Sequence, residues 1–342
     1  MPAPTSLLRS SQVMAILALM VLLLLAPVLG GPAIVSLLCI TGLFAMVAIG
    51  LNLLIGYTGQ ISFGQNAFFA VGAYATGILT VRYAWPPFLA LLAGMLANGL
   101  LAYVLGWQIL RLRGHYLAMA TLAVGEITYI IGTRWDGPTG GLAGIPNVPA
   151  FSIFGFTFDD KLKLYGLIWL LTLASLLAAE RIVQSRVGRA WRAIAGNEHW
   201  AAALGVDVAR VKTGVFVLSA LYASVAGSLY AHFLNYVQGD FFALQVVIQL
   251  MAVLVVGGIG TIWGPIVGAL VVAGMGEALR SYREYSQLFF GLLYAGVLLL
   301  LPQGVASLGP ALWHRVRLGR SQPLNRADQV SLDLAHEERQ SS

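Results

Sequence analysis

Long apolar stretches alternate with short polar segments along almost the whole chain. A helix of about 20 apolar residues crosses the hydrocarbon core of a bilayer, which is roughly 30 Å thick. The pattern predicts ten such helices, at 12–29, 33–55, 64–82, 87–110, 116–133, 163–180, 213–232, 243–257, 261–280 and 287–302. The segments 243–257 and 287–302 are short, so each is either tilted, broken or only partly crossing. The predicted fold class is therefore an all-α polytopic membrane protein with about ten transmembrane helices, some of them broken at glycines.

The first apolar segment has two interpretations. Arg9 precedes the apolar run, and Val28-Leu29-Gly30 resembles a signal-peptide cleavage site. Pro32 would follow closely after such a cleavage, which is unfavourable. We therefore expect a retained helix after a cytoplasmic N-terminus of residues 1–11, and a cleaved signal peptide is the alternative.

Lysines and arginines set the orientation of a membrane protein, because they are enriched in cytoplasmic loops. Six of them lie between Arg181 and Lys212, and others lie at Arg111, at Arg113 and after the last helix. Ten crossings place all these positions on one side, so both termini are predicted to be cytoplasmic. The transmembrane domain is then 12–302, with an external loop at 134–162, a cytoplasmic loop at 181–212 and a cytoplasmic tail at 303–342.

The composition agrees with a membrane protein and excludes a soluble or disordered chain. Apolar residues make up 58% of the 342 residues and charged residues only 10%, whereas soluble domains carry about 25% charged residues. The net charge of +6 reflects cytoplasmic loops rather than nucleic-acid binding. The one cysteine, Cys39, allows no internal disulfide.

Motifs for soluble-enzyme chemistry are absent from the sequence. It contains no G-x-x-x-x-G-K-[ST] phosphate-binding loop and no G-x-S-x-G nucleophile motif. Its five histidines have no cysteines or carboxylates at the spacing of metal ligands. We therefore predict no catalytic residue, no metal site and no cofactor in this chain.

Neutral polar side chains accompany two glycine-interrupted turns, at 56–64 and 257–265. Paired interruptions of this kind often flank a transport path, and intramembrane carboxylates are candidates for function. The predicted path residues are Asn52, Tyr57, Gln60, Ser62, Gln65, Asn66 and Glu126. The alternative is structural: the neutral groups bond across helices or cap a broken one, and Glu126 has a structural or gating role.

The cytoplasmic loop is predicted to contain a short amphipathic helix from Gly188 to Leu204. Trp191, Ile194 and Ala195 form its apolar stripe, and Gly205 is a suitable residue to end it. Such a stripe must pack on a partner protein, on the lipid surface or on the chain's own bundle.

Five blocks of the sequence, in order, resemble the M-type permease subunits of branched-chain amino acid ABC importers. They are Gly50–Gly64, Arg113–Leu122 with Glu126, Asp136–Pro146, Gly188–Gly205 and Val256–Pro265. The resemblance implies a multi-pass protein of the bacterial inner membrane that translocates branched-chain or related amino acids. It also implies three kinds of partner besides the lipid bilayer: a homologous second permease, two cytoplasmic ATPases that bind the ATP, and a periplasmic substrate-binding protein.

The resemblance further assigns ATPase coupling to part of the cytoplasmic loop. The residues it implies are Arg189, Trp191, Arg192, Ile194, Glu198, Leu204 and Gly205. Two departures from the family pattern lie near the presumed path: Gln65 replaces a frequent histidine, and Gln249 replaces a frequent glutamate. Gln249 therefore joins the candidate path residues.

Three other functions stay open at this point. Related importers carry urea, short amides or aromatic acids with similar permeases. An ion-driven secondary transporter would need paired intramembrane charges, and a membrane enzyme would need clustered polar residues at one membrane face. Both of these features are missing from the sequence.

Overall fold

The structure is a computed structural model that describes residues 31–112 and 114–278. The predicted helices 12–29 and 287–302 and both predicted cytoplasmic termini lie outside these residues. In chain order the helices are α1 (Gly31–Tyr57), α2 (Gln65–Arg82), α3 (Pro87–Ile109), α4 (His115–Arg134), α5 (Asp136–Thr139), α6 (Lys161–Gln184), α7 (Arg186–Gly196), α8 (Glu198–Ala203), α9 (Val208–Leu234), α10 (Leu244–Gly257) and α11 (Gly264–Ala278). The last turn of α1, Leu53–Tyr57, is π-helical.

Six helices of the described chain are long and apolar enough to cross a membrane. They are α1, α3, α4, α6, α9 and the stretch Gly239–Gly257, in which a 3₁₀ turn leads into α10. The polytopic membrane fold is therefore confirmed. Each predicted segment between 33 and 257 coincides with a helix, whereas the total of ten crossings and the orientation stay predictions.

Helices α2, α3 and α9 pack against one another. Asn98 on α3 donates from Nδ2 to the Phe68 carbonyl at 2.9 Å, and Thr76 on α2 donates to the Ser228 hydroxyl at 2.8 Å. Two glycines let α2 and α9 approach through their backbones. A Cβ on Gly72 would lie 2.7 Å from Ser224 Cα, and a Cβ on Gly227 would meet backbone atoms of α2. Small residues at helix crossings give membrane helices this close contact.

One end of the bundle is closed by short strands, which the prediction of an all-α chain missed. The strands are β1 (Ile145–Pro146), β2 (Phe151–Ile153), β3 (Phe156–Phe158) and β4 (Tyr236–Val237). Antiparallel pairing joins Ile145 to Val237 and, in a hairpin, Phe151 to Phe158. The pair β1 and β4 forms because the loop 134–162 folds back on the residues that follow α9, whereas β2 and β3 pair with each other within the loop.

Side-chain bonds hold this strand-bearing end together. Asn235 donates from Nδ2 to the Val148 carbonyl at 2.9 Å, and His232 Nδ1 donates to the Pro149 carbonyl at 2.7 Å. Helix α9 has 27 residues and therefore a length of about 40 Å. The residues before α9, which include α7 and α8, thus lie at the opposite end of the bundle from the strands.

Candidate functional site

The two glycine-interrupted turns are in contact with each other. Asn52 on α1 donates from Nδ2 to the Thr261 carbonyl at 2.8 Å, and its Oδ1 accepts from Gly260 N at 2.9 Å. Gly56 is required at this contact, because a Cβ there would lie 2.8 Å from Gly260 Cα. The buried Asn52 amide therefore joins two turns that are more than 200 residues apart in the sequence.

The five other path candidates between Tyr57 and Asn66 are neutral and buried inside the chain. Gln65 donates from Nε2 to the Ser219 carbonyl at 2.7 Å, and Asn66 donates from Nδ2 to the Phe242 carbonyl at 2.9 Å. Tyr57, Gln60 and Ser62 are buried as well. These contacts tie the first turn of α2 to α9 and to the turn that leads into α10, which is the kind of bond that the structural alternative describes.

The remaining two path candidates, Glu126 and Gln249, are exposed, and they lie in different places. Glu126 shares the exposed face of α4 with Leu122 and Ile130. Gln249 instead lines a cavity of about 250 Å³ between α1, α10 and α11, together with Glu277. The structure therefore does not bring Glu126 and Gln249 to one site.

An apolar groove lies beside the face of α4 that carries Glu126. The groove has a volume of about 400 Å³ and is lined by Phe63 of the broken segment, Leu122 of α4 and one side of α10 that includes Ile248 and Met251. Leu122 lies one helical turn before Glu126, so both side chains are on the same face. A carboxylate in contact with lipid hydrocarbon is costly. This face of α4 is therefore suited to contact with protein or water rather than lipid.

The loop 181–212 contains two helices where one was predicted. Asn197 interrupts the predicted helix with an extended backbone, and its Oδ1 accepts from His199 N at 2.9 Å and from Trp200 N at 3.2 Å. Asn197 is therefore the N-cap of α8, a position where asparagine is preferred. Gly205 follows α8 with a φ of +85°, and Val206 N donates to the Ala201 carbonyl at 3.1 Å. This hydrogen bond is the one expected for a helix end with glycine.

The apolar stripe of the predicted helix is buried at Trp191 and Ile194. Both side chains are only 2% exposed, because α7 packs on α6, on α9 and on the end of α1. Of the three surfaces considered for the stripe, the chain's own bundle is the one observed. The most exposed large apolar residues of this loop are instead Trp200, at 72%, and Leu204, at 82%, both on or next to α8, whereas Val187 on α7 is 50% exposed.

Glu198, at the start of α8, contacts two membrane-side elements. Its carboxylate forms an ion pair with Lys212 Nζ of α9, and its Oε1 accepts from Gln60 Nε2 at 3.2 Å. The Lys212 side chain is only 3% exposed. The sequence interpretation used Lys212 only to set the orientation. The signal that it missed was a lysine within the first turns of a mostly apolar helix.

No metal site is found in the part of the chain that the structure describes. Within residues 31–112 and 114–278, no group of three or more histidine, cysteine or carboxylate side chains could hold a metal ion. The features brought together here are thus a joined pair of turns, an apolar groove, and an exposed helix linked to the bundle by an ion pair.

The fold and these features define an integral, multi-pass membrane protein whose polar side chains pack between its helices. Residues 33–301 match the family model described as "Branched-chain amino acid transport system / permease component", and the chain belongs to this family. No solved structure matches the chain.

Individual permease proteins of the same family are also similar to this chain. The chain is 30% identical to the high-affinity branched-chain amino acid transport system permease protein LivM of Escherichia coli strain K12, over 86% of this chain and 75% of the relative. It is also 27% identical to the LivH permease protein of the same strain, over 77% of this chain and 90% of the relative. The probable LivM of Methanocaldococcus jannaschii is 24% identical over 76% of this chain and 88% of the relative.

Proposed function

We propose that this chain is a membrane permease subunit of an ABC importer that moves branched-chain or related amino acids across a bacterial inner membrane. The match of residues 33–301 to the permease family carries the proposal. ATP is bound by two separate cytoplasmic ATPases, and a periplasmic binding protein delivers the solute. Two kinds of permease from one organism, LivM and LivH, are similar to this chain, which supports pairing with a second, homologous permease.

The test of this function is uptake of radiolabelled leucine by proteoliposomes that hold the complex with its native partner subunits. We expect uptake to need ATP, to stop when the ATPases are omitted, and to survive ionophores that abolish ion gradients. Uptake that follows an ion gradient without ATP would instead indicate a secondary transporter. Competition by unlabelled isoleucine, urea or an aromatic acid separates the possible solute classes.

In the proposed complex, α8 supplies the contact with an ATPase. Trp200 and Leu204 are the exposed apolar side chains at this end of the loop, and Arg189 and Arg192 are exposed on the neighbouring α7. Exposed apolar residues next to positive charges fit an apolar protein pocket with an acidic rim. Gly205 supports this contact by ending α8, so that Leu204 lies at the tip of the helix.

Alanine variants of the two tryptophans test the docking surface. Trp200→Ala with Leu204→Ala should weaken ATPase binding about tenfold or more, as loss of central interface residues does, while the membrane bundle stays folded. Trp191→Ala is the matched comparison, because removing a buried tryptophan costs about 3–5 kcal/mol of folding free energy. Copurification of the ATPases and thermal stability in detergent separate the two effects. Normal copurification with the double variant would contradict docking through α8.

The solute path is proposed to run along the face of α4 that carries Glu126. The carboxylate of Glu126 can attract the ammonium group of an amino acid, and the groove at Phe63, Leu122 and Met251 can hold its aliphatic side chain. The second permease subunit packs against this face of α4, so that the path lies between the two permeases. The cost of exposing a carboxylate to lipid supports the placement.

A bulky side chain in the groove tests this path. Met251→Trp should fill much of the groove of about 400 Å³ and abolish leucine uptake without loss of the ATPases. The control is Leu96→Trp on α3, where the native side chain is 76% exposed and outside the groove. Glu126→Gln removes the charge and should lower leucine uptake. Wild-type uptake by both Met251→Trp and Glu126→Gln would place the path elsewhere.

A further inference from the structure

Helix α8 is connected to two parts of the membrane bundle through one side chain. The Glu198 carboxylate is paired with Lys212 of α9 and accepts a hydrogen bond from Gln60 of the broken segment. Gln60 also donates from Nε2 to the Thr58 carbonyl at 3.1 Å, so its amide is fixed within that segment. Glu198 is thus the point where an exposed helix, α9 and the broken segment meet.

The packing around this meeting point is open on two sides. A cavity of about 190 Å³ lies between Glu198, Lys212 and the end of α3 at Trp107 and Arg111. A second cavity, of about 330 Å³, lies between Glu198, the segment 58–60 and the end of α7. Polar side-chain bonds therefore connect Glu198 to the bundle across a region where the surrounding packing is incomplete.

We propose that Gln60, Glu198 and Lys212 position α8 against the bundle, so that a displacement of α8 by the ATPases is passed to the broken segment and to α9. This inference rests on the proposed function, because it needs an ATPase that moves α8. Lys212 is almost fully buried, and separating a buried ion pair leaves an uncompensated charge away from water, which is strongly unfavourable. The pair therefore stays together when α8 moves, and α9 moves with it.

The Gln60 bond extends the movement to the turns. The segment that holds Gln60 follows directly on α1, where Asn52 is bonded to the turn at Gly260 and Thr261. A displacement of Glu198 is thus transmitted from α8 through Gln60 to both glycine-interrupted turns. The same residues act as positioning residues, since none of them needs to touch the solute.

The experiment measures leucine uptake and ATP hydrolysis together, in proteoliposomes that contain the complex with its native partners. The variants are Gln60→Leu, Lys212→Met and the reversed pair Glu198→Lys with Lys212→Glu. The control is Arg210→Gln, because Arg210 forms an exposed ion pair with Asp207 at the same end of α9. The decisive quantity is leucine transported per ATP hydrolysed. If the three residues only stabilised the fold, this ratio would not change in complexes that are fully assembled.

We expect Gln60→Leu and Lys212→Met to keep the ATPases and their hydrolysis while the transport per ATP falls about tenfold, the scale expected for a lost bond to a charged group. The reversed pair should recover most of the transport per ATP, and Arg210→Gln should match the wild type. Wild-type transport per ATP in the two single variants would overturn the inference. Loss of assembly in both of them, without a change in transport per ATP in the assembled fraction, would overturn it too. Failure of the wild type itself to transport leucine with ATP would instead overturn the proposed function.

Discussion

The contact between the two glycine-interrupted turns depends on the Asn52 amide, and replacing it by leucine is a direct test. Asn52→Leu keeps a similar volume but removes the bonds to the Thr261 carbonyl and to Gly260 N. An unsatisfied buried polar group costs about 1–3 kcal/mol. The Thr261 carbonyl and Gly260 N are only partly buried, so we expect a total loss of about 1–3 kcal/mol in the free energy of unfolding, because leucine offers neither a donor nor an acceptor.

The loss can be measured by titrating purified protein in mixed micelles with a denaturing detergent and following tryptophan fluorescence. Gln184→Leu is the matched control, because Gln184 is an exposed amide whose bond, to Glu180 at 3.2 Å, is exposed as well. We expect the control to change the stability by less than about 0.5 kcal/mol. A change below about 1 kcal/mol for Asn52→Leu would show that Asn52 does not hold the turns together.

Two further predictions concern the helix crossing and the orientation. Gly227→Ala should destabilise the protein by about 1–3 kcal/mol through overpacking against the backbone of α2. Gly214→Ala in the same helix has no atom within 4 Å of the new Cβ and should be neutral or stabilising. Detergent titration of both variants measures the difference. For the orientation, single cysteines at Phe154 and Arg210, both highly exposed, should react with an impermeant thiol reagent from opposite sides of the membrane in a Cys39→Ser background. Labelling from the same side would contradict the predicted topology.

The helices could be predicted from the sequence because apolar length alone determines which segments cross a bilayer. The strands at the far end could not, because Ile145 pairs with Val237 across a long stretch of sequence that includes α6 and α9. A strand of two residues has no alternation of apolar and polar positions to detect. Pairing partners so far apart become neighbours only once the helices between them are packed.

The sequence determines the roles of the site residues less tightly than the fold, for two physical reasons. A polar side chain in a membrane helix needs a partner whether it faces a path or another helix, so sequence alone does not separate the two roles of Gln65 and Asn66. The amphipathic pattern of α7 correctly indicates a buried face, but it does not say what buries Trp191. The interruption at Asn197 could have been predicted from the sequence, because glycine often ends a helix and asparagine often begins one.

The link between the turns at Asn52 is made by an uncharged amide, and this has an electrical consequence. Moving one elementary charge through a membrane potential of 100 mV changes its energy by about 2.3 kcal/mol, whereas moving a neutral group does no such work. Gln65 and Asn66, which tie the first turn of α2 to α9 and to Phe242, are neutral as well. The energy of these contacts should therefore be the same in a polarised and in a depolarised cell. A rearrangement confined to these contacts would then proceed at a rate that does not depend on the membrane voltage.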